Sequence, residues 1–167
     1  MKLRKTTIKD LDAVFKLYKK VSLVPGGIVR LEHEISEDYI SNFLKNTLDR
    51  GLGYVVEDDR QNLIAEIHAY SPNLFCFSHL LSELTIVVDS AQQTRGVGRM
   101  LFEKFIQSVE LDKPEITRVE LIARESNIKA IHLYESLGFT IEGKLRARIK
   151  NLDGSFEADV PMAWIRQ

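Results

Sequence analysis

The sequence has a single cysteine, no long apolar run and no excess of charge of either sign. One cysteine forms neither an internal disulfide nor a thiolate metal cluster. Cys76 stands in the apolar run Leu74-Phe75-Cys76-Phe77 and is expected to be a buried, inert thiol. No stretch approaches the ~20 apolar residues that a membrane helix needs. Met1-Lys2-Leu3-Arg4-Lys5-Thr6-Thr7 leads into no apolar signal core, so the expected location is cytoplasmic with no membrane partner. The 23 basic and 24 acidic side chains leave a formal charge of −1 without a block of either sign, which argues against a nucleic-acid partner. The histidines give no reason to expect a metal: His33 and His68 lack a partner at ligand spacing and His132 falls on a polar helix face. His79, just ahead of a strand, is read as structural.

What remains is an ordinary globular composition, 44% hydrophobic and 28% charged over 167 residues, for which one domain spanning 1–167 is the expectation. A weakly alternating strand at 2–8 precedes a helix whose apolar stripe is Leu11, Val14, Phe15, Tyr18 and Val21. Val24-Pro25-Gly26-Gly27 stops that helix. A second helix over 37–50 is capped by Ser36, striped by Tyr39, Ile40, Phe43, Leu44 and Leu48, and closed by Gly51. Residues 52–57 and 63–70 form a hairpin around Asp58-Asp59-Arg60-Gln61-Asn62. Then follow a strand at 83–88, a helix at about 96–110, a strand at 117–123, a helix at 127–137, and strands near 139–147 and 156–165. Strands joined through helical crossovers imply a mixed sheet with helices on its faces, an α/β architecture.

Gln93-Thr94-Arg95-Gly96-Val97-Gly98-Arg99 lies at the junction from the 83–88 strand to a helix striped by Val97, Leu101, Phe102, Phe105, Ile106 and Val109. Glycines there allow a ligand to approach the backbone, and a helix N-terminus offers unpaired N–H groups to a phosphate. Arg95 and Arg99 add positive charge. The loop lacks the Gly-Lys-Ser/Thr of a P-loop and the third glycine of a dinucleotide fingerprint, so nucleoside triphosphates and nicotinamide cofactors lose ground. About thirty residues on stands Asn127-Ile128-Lys129-Ala130-Ile131-His132-Leu133-Tyr134-Glu135-Ser136-Leu137-Gly138-Phe139, a capped helix ending in glycine. Together the Gln-x-x-Gly-x-Gly loop and this segment resemble the two signature motifs of the GNAT superfamily of acetyltransferases, in their order and at their separation. The likeness is strong over 83–143 and extends to the rest of the chain through the order of its elements.

The resemblance implies a mixed, mostly antiparallel central sheet flanked by helices, and an enzyme that moves acetyl from acetyl-CoA to a primary amine without a metal. It implies that Gln93, Thr94, Arg95, Gly96, Val97, Gly98 and Arg99 hold the pyrophosphate. By the same likeness the backbone of Ile86, Val87 and Val88 takes the pantetheine arm, and Asn127 touches that arm while capping its helix. An amine with a pKa near ~10 must lose a proton before it attacks a thioester, and a hydroxyl of similar pKa still holds one to donate to the departing thiol. Glu83, expected at the start of its strand and on one face with Thr85 and Val87, matches the family's base; Tyr134 matches its acid.

The acceptor is left open among a polyamine, a free amino acid or analogue, and a protein N-terminus, with a small-molecule amine favoured. Glu32, Glu34 and Asp38 suit a cationic polyamine, whereas Arg30 suits a carboxylate. A module that binds acyl-CoA without turnover is the contrasting reading, against which the retained Tyr134 and Glu83 argue. The final strand leaves room for a homodimer.

Overall fold

The structure, a computed structural model, describes residues 1–24, 28–92 and 96–167. The helix stop at Pro25-Gly26-Gly27 and the expected phosphate contacts Gln93, Thr94 and Arg95 lie outside the described residues. Eight strands and four α-helices follow in the order β1 (Lys2–Lys5), α1 (Leu11–Ser22), α2 (Glu37–Arg50), β2 (Gly51–Glu57), β3 (Leu63–Tyr70), β4 (Leu80–Val88), α3 (Val97–Asp112), β5 (Arg118–Arg124), α4 (Ile128–Ser136), β6 (Thr140–Ile141), β7 (Leu145–Lys150) and β8 (Phe156–Ile165). They build one mixed sheet of order β1-β2-β3-β4-β5-β8-β6, with β7 also on β8. Every pairing is antiparallel except β4 with β5.

The helices take up the faces that their stripes dictate. On α3, Val97, Leu101, Phe102, Phe105, Ile106 and Val109 are all buried against one side of the sheet. Helices α1 and α2 cover the other side with Val14, Tyr18, Val21, Ile40, Phe43 and Leu44. Two details of α2 differ from expectation. Leu48 is 49% exposed while Thr47, whose hydroxyl bonds to the Phe43 carbonyl at 2.7 Å, is buried in its place. Gly51 does not terminate the helix in a left-handed turn; it opens β2, where a Cβ would lie 2.3 Å from the Ala69 carbonyl oxygen. The expected strand at 139–147 is broken, its two pieces β6 and β7 pairing with opposite ends of β8.

Cys76 is a correction. It is exposed, in a 3-10 turn at Phe75–Phe77 where Phe75 is itself 95% exposed. Three apolar neighbours in a row imitate a buried strand, but this short segment bridges β3 and β4 outside both cores.

The single parallel contact positions everything that follows. Strands β4 and β5 pair only at Leu80 with Arg118 and Leu81 with Val119. Beyond that point β5 continues on β8 as far as Arg124 and β4 continues on β3 as far as Val88, so the two strands part and a cleft opens between them.

Candidate active site

A bulge shapes one wall of the cleft. Thr85 pairs with His68 and Ser82 with Tyr70, so Glu83 and Leu84 together oppose Ala69. Glu83 takes up the extra residue with φ of 55°, in the left-handed region that non-glycine residues seldom enter. It is therefore the fourth residue of a nine-residue strand rather than the first, and simple alternation does not set its direction. The bulge leaves the Glu83 side chain exposed and lining the cleft with Leu84, Thr85 and Ile86.

Tyr134, on α4, lines the same cleft. Its ring packs on Phe102 and Phe139 with centroids 5.4 and 6.3 Å away. Phe139 reaches that place because Gly138, at φ of 89°, turns the chain after α4 so that the Phe139 N–H donates back to the Tyr134 carbonyl at 3.1 Å. Burial pushes the Tyr134 hydroxyl up to about 12, so it stays protonated throughout the neutral range. Asn127 also lines the cleft; its Oδ1 caps α4 by accepting from the Ala130 N–H at 3.2 Å.

At the β4–α3 junction, Gly96 adopts φ of 75° with nothing within 4 Å of where a Cβ would stand. A Cβ on Gly98 would sit 3.4 Å from Val88 Cγ2, which leaves room for a methyl group and little more. The N-cap of α3 is Gly96, which has no side chain to cap it, and the first turn of the helix carries no carboxylate. Val97 is buried in the core, and Val87 is buried on the opposite face, so from these two only the backbone is on offer to a ligand. The Arg99 guanidinium donates to Ser136 Oγ at 2.7 Å and to Glu103 Oε1 at 3.3 Å, tying α3 to α4 at the rim.

The cleft holds about 270 Å³, near the lower end of typical ligand pockets of ~300–1,000 Å³. Glu83, Ile86, Asn127 and Tyr134 line it together, whereas Gly96 and Gly98 belong to the adjoining helix end. Tyr18, Tyr39 and Arg124 are lining residues that sequence reasoning missed as such. The two tyrosines were legible only as members of apolar stripes, although the hydroxyl of a stripe tyrosine is itself a signal of a polar partner. Of the charges considered for the acceptor, Arg30 lines the cleft, while Glu32 pairs with Lys19 at 2.7 Å and Glu34 accepts from the Leu31 N–H at 2.8 Å. His79 is exposed and His68 is buried beside Glu66.

The family model described as Acetyltransferase (GNAT) family matches residues 12–139. A spermidine N(1)-acetyltransferase of Vibrio cholerae is 30% identical over 112 residues, 67% of this chain and 61% of that protein. A ribosomal protein bS18-alanine N-acetyltransferase of Escherichia coli K12 is 41% identical over 73 residues, 44% of this chain and 48% of that protein. The matched stretches thus span less than two thirds of either relative's length. In structure, a GNAT superfamily phosphinothricin acetyltransferase from Sinorhizobium meliloti, solved in complex with acetyl-CoA, superposes with a TM-score of 0.85 at 18% identity, covering 99% of this chain and 88% of that one.

Proposed function

Because the chain belongs to the acetyltransferase (GNAT) family, we propose that it transfers an acetyl group from acetyl-CoA directly to the primary amine of a small molecule. The observation that carries this reading is the parting of β4 from β5, with Glu83 and Tyr134 both among the residues that line the cleft there. The cosubstrate fits the residues around it. Gly96 leaves its surroundings open, and the uncapped first turn of α3 offers N–H groups to a pyrophosphate, with Arg99 beside them. Gln93, Thr94 and Arg95 complete that cradle by family likeness. By family likeness the backbone of Ile86, Val87 and Val88 takes the extended amide-bearing arm; Ile86 and Asn127 line the same cleft.

Acetyl-CoA supplies a thioester-activated acetyl group. Glu83 takes one proton from the arriving ammonium. The amine nitrogen then forms the new bond to the acetyl carbon as that carbon's bond to sulfur breaks. Tyr134 gives its hydroxyl proton to the departing sulfur, and solvent carries the nitrogen's second proton away as it restores Tyr134. A protonated donor is what the raised Tyr134 hydroxyl provides.

Mixing the protein with acetyl-CoA and an amine panel while following thiol release tests the activity. Acceptor-dependent release is expected; binding of acetyl-CoA with no release on any amine assigns the chain to the non-catalytic binding modules instead. Tyr134→Phe is expected to lower kcat about tenfold or more with acetyl-CoA affinity nearly unchanged, the size of a general-acid contribution. Wild-type turnover in that variant removes Tyr134 from the mechanism. A protein N-terminus is the second reading, favoured by a groove of about 800 Å³ that shares Ile28, Val29, Arg30 and Arg124 with the cleft and continues along β7.

A further inference from the structure

Three charged side chains line the cleft: Glu83, Arg30 and Arg124. Arg124 is committed, since its guanidinium donates to Glu157 and to Asn151 of the β7–β8 hairpin. Glu83 and Arg30 are in no ion pair, with each other or with any other described residue. Arg30 is held by stacking instead, its guanidinium carbon 4.0 Å from the centroid of the Tyr39 ring. That ring is braced in turn by Phe43 and Tyr18, at 5.4 and 6.3 Å. Stacking uses the face of a guanidinium and leaves its in-plane N–H donors available, the arrangement that meets a carboxylate with two parallel hydrogen bonds. Beyond the raising effect of burial, Arg30 pulls the Tyr39 hydroxyl down, while the charges of Glu66 and then Glu83 push it up.

One partly enclosed cleft therefore presents an anion and a cation that are in no ion pair among the described residues. We infer that the acceptor is an amine that also carries a free carboxylate, as an α-amino acid does, with the amine directed to Glu83 and the carboxylate to Arg30. The inference rests on acetyl transfer in this cleft. A polyamine sets a second cation against Arg30 and finds one carboxylate, Glu83, among the described lining residues. A peptide N-terminus sets a neutral amide where Arg30 stands and leaves its charge unanswered. A zwitterion answers both.

Initial rates of thiol release, measured with acetyl-CoA and each proteinogenic L-amino acid beside its carboxamide, with spermidine and an alanine-first peptide as further arms, test the assignment. At least one free amino acid is expected to exceed its carboxamide about ten- to a hundredfold in kcat/KM, the scale of a charge-assisted hydrogen bond. Arg30→Ala is expected to bring that ratio close to one through KM, with acetyl-CoA affinity retained, and Arg30→Lys to keep part of it. Equal or faster turnover of carboxamides, the peptide or spermidine overturns the inference and leaves acetyl transfer standing. An unchanged ratio in Arg30→Ala overturns the role of Arg30. Acetyl-CoA binding without release on any arm overturns acetyl transfer itself, and this inference with it.

Discussion

The two faces of the sheet are finished in different chemistry. Under α3 the core is aromatic and aliphatic, and the polar contact that stands out there is Tyr54 with Ser108, hydroxyl to hydroxyl at 2.7 Å. Under α1 and α2 a carboxylate and an imidazole are buried: Glu66 is 0% and His68 2% exposed. The Tyr18 hydroxyl donates to Glu66 Oε2 at 2.7 Å, His68 Nδ1 lies 3.1 Å from Glu66 Oε1, and the Phe43 ring stacks on the imidazole at 4.0 Å. Burial, with the Glu66 charge adding to it, holds the Tyr18 hydroxyl well above its ordinary range, so it remains a donor. A buried carboxylate costs several kcal/mol unless donors answer it, and here two ring-bearing neighbours do. The difference follows the site. The apolar face supports Tyr134 through Phe102, whereas the polar face reaches the cleft through Tyr18 and Tyr39. Packing fixes Tyr134; a polar network fixes the pocket wall at Tyr18.

The contrast is open to attack at three positions. Phe102→Ala removes a fully buried ring that touches Phe105, Tyr134 and Phe139, and is expected to cost about 3–5 kcal/mol in urea unfolding, the largest effect of the three. A loss under ~1 kcal/mol means that the apolar face is not the stabilising one. Glu66→Ala strands the Tyr18 hydroxyl and is expected to cost about 2–3 kcal/mol, with Glu66→Gln recovering part by keeping an acceptor. Were Glu66→Ala neutral, the polar network would be unnecessary to the fold. Tyr54→Phe deletes one neutral hydrogen bond from the apolar face and is expected to shift stability by about 1 kcal/mol, which thermal melts resolve. An effect as large as that of Glu66→Ala would erase the distinction between the faces.

Much of the donor side was legible because its residues act through local geometry. Asn127 reads as a cap and is one; Gly138 reads as a helix end and adopts a left-handed φ; the α3 stripe reads as core and is buried throughout. The acceptor side was less so. Glu83 owes its place to a bulge that depends on the register of β3 against β4, and nothing in Ser82-Glu83-Leu84 marks a left-handed residue, since glycine or asparagine is the usual signal. Tyr18 and Tyr39 fall among apolar positions, and whether such a ring reaches a cleft depends on how two helices lie on the sheet. Cys76 shows the opposite failure: hydrophobicity alone suggests burial, and tertiary placement overrules it.

An unpaired strand edge is ordinarily a hazard, because it invites the strand of another molecule. In this chain such an edge, with no strand beside it among the described residues, runs along β4 from Ser82 to Val87, yet it lies inside the sheet, with β5, β8 and β6 beyond it and β3 behind. A foreign strand meets those neighbours before it meets the edge. On the function proposed above, what enters is a thin extended ligand, so hydrogen-bonding capacity is kept in reserve where self-association does not reach it. Amide exchange along 84–87 is expected to slow when such a ligand docks.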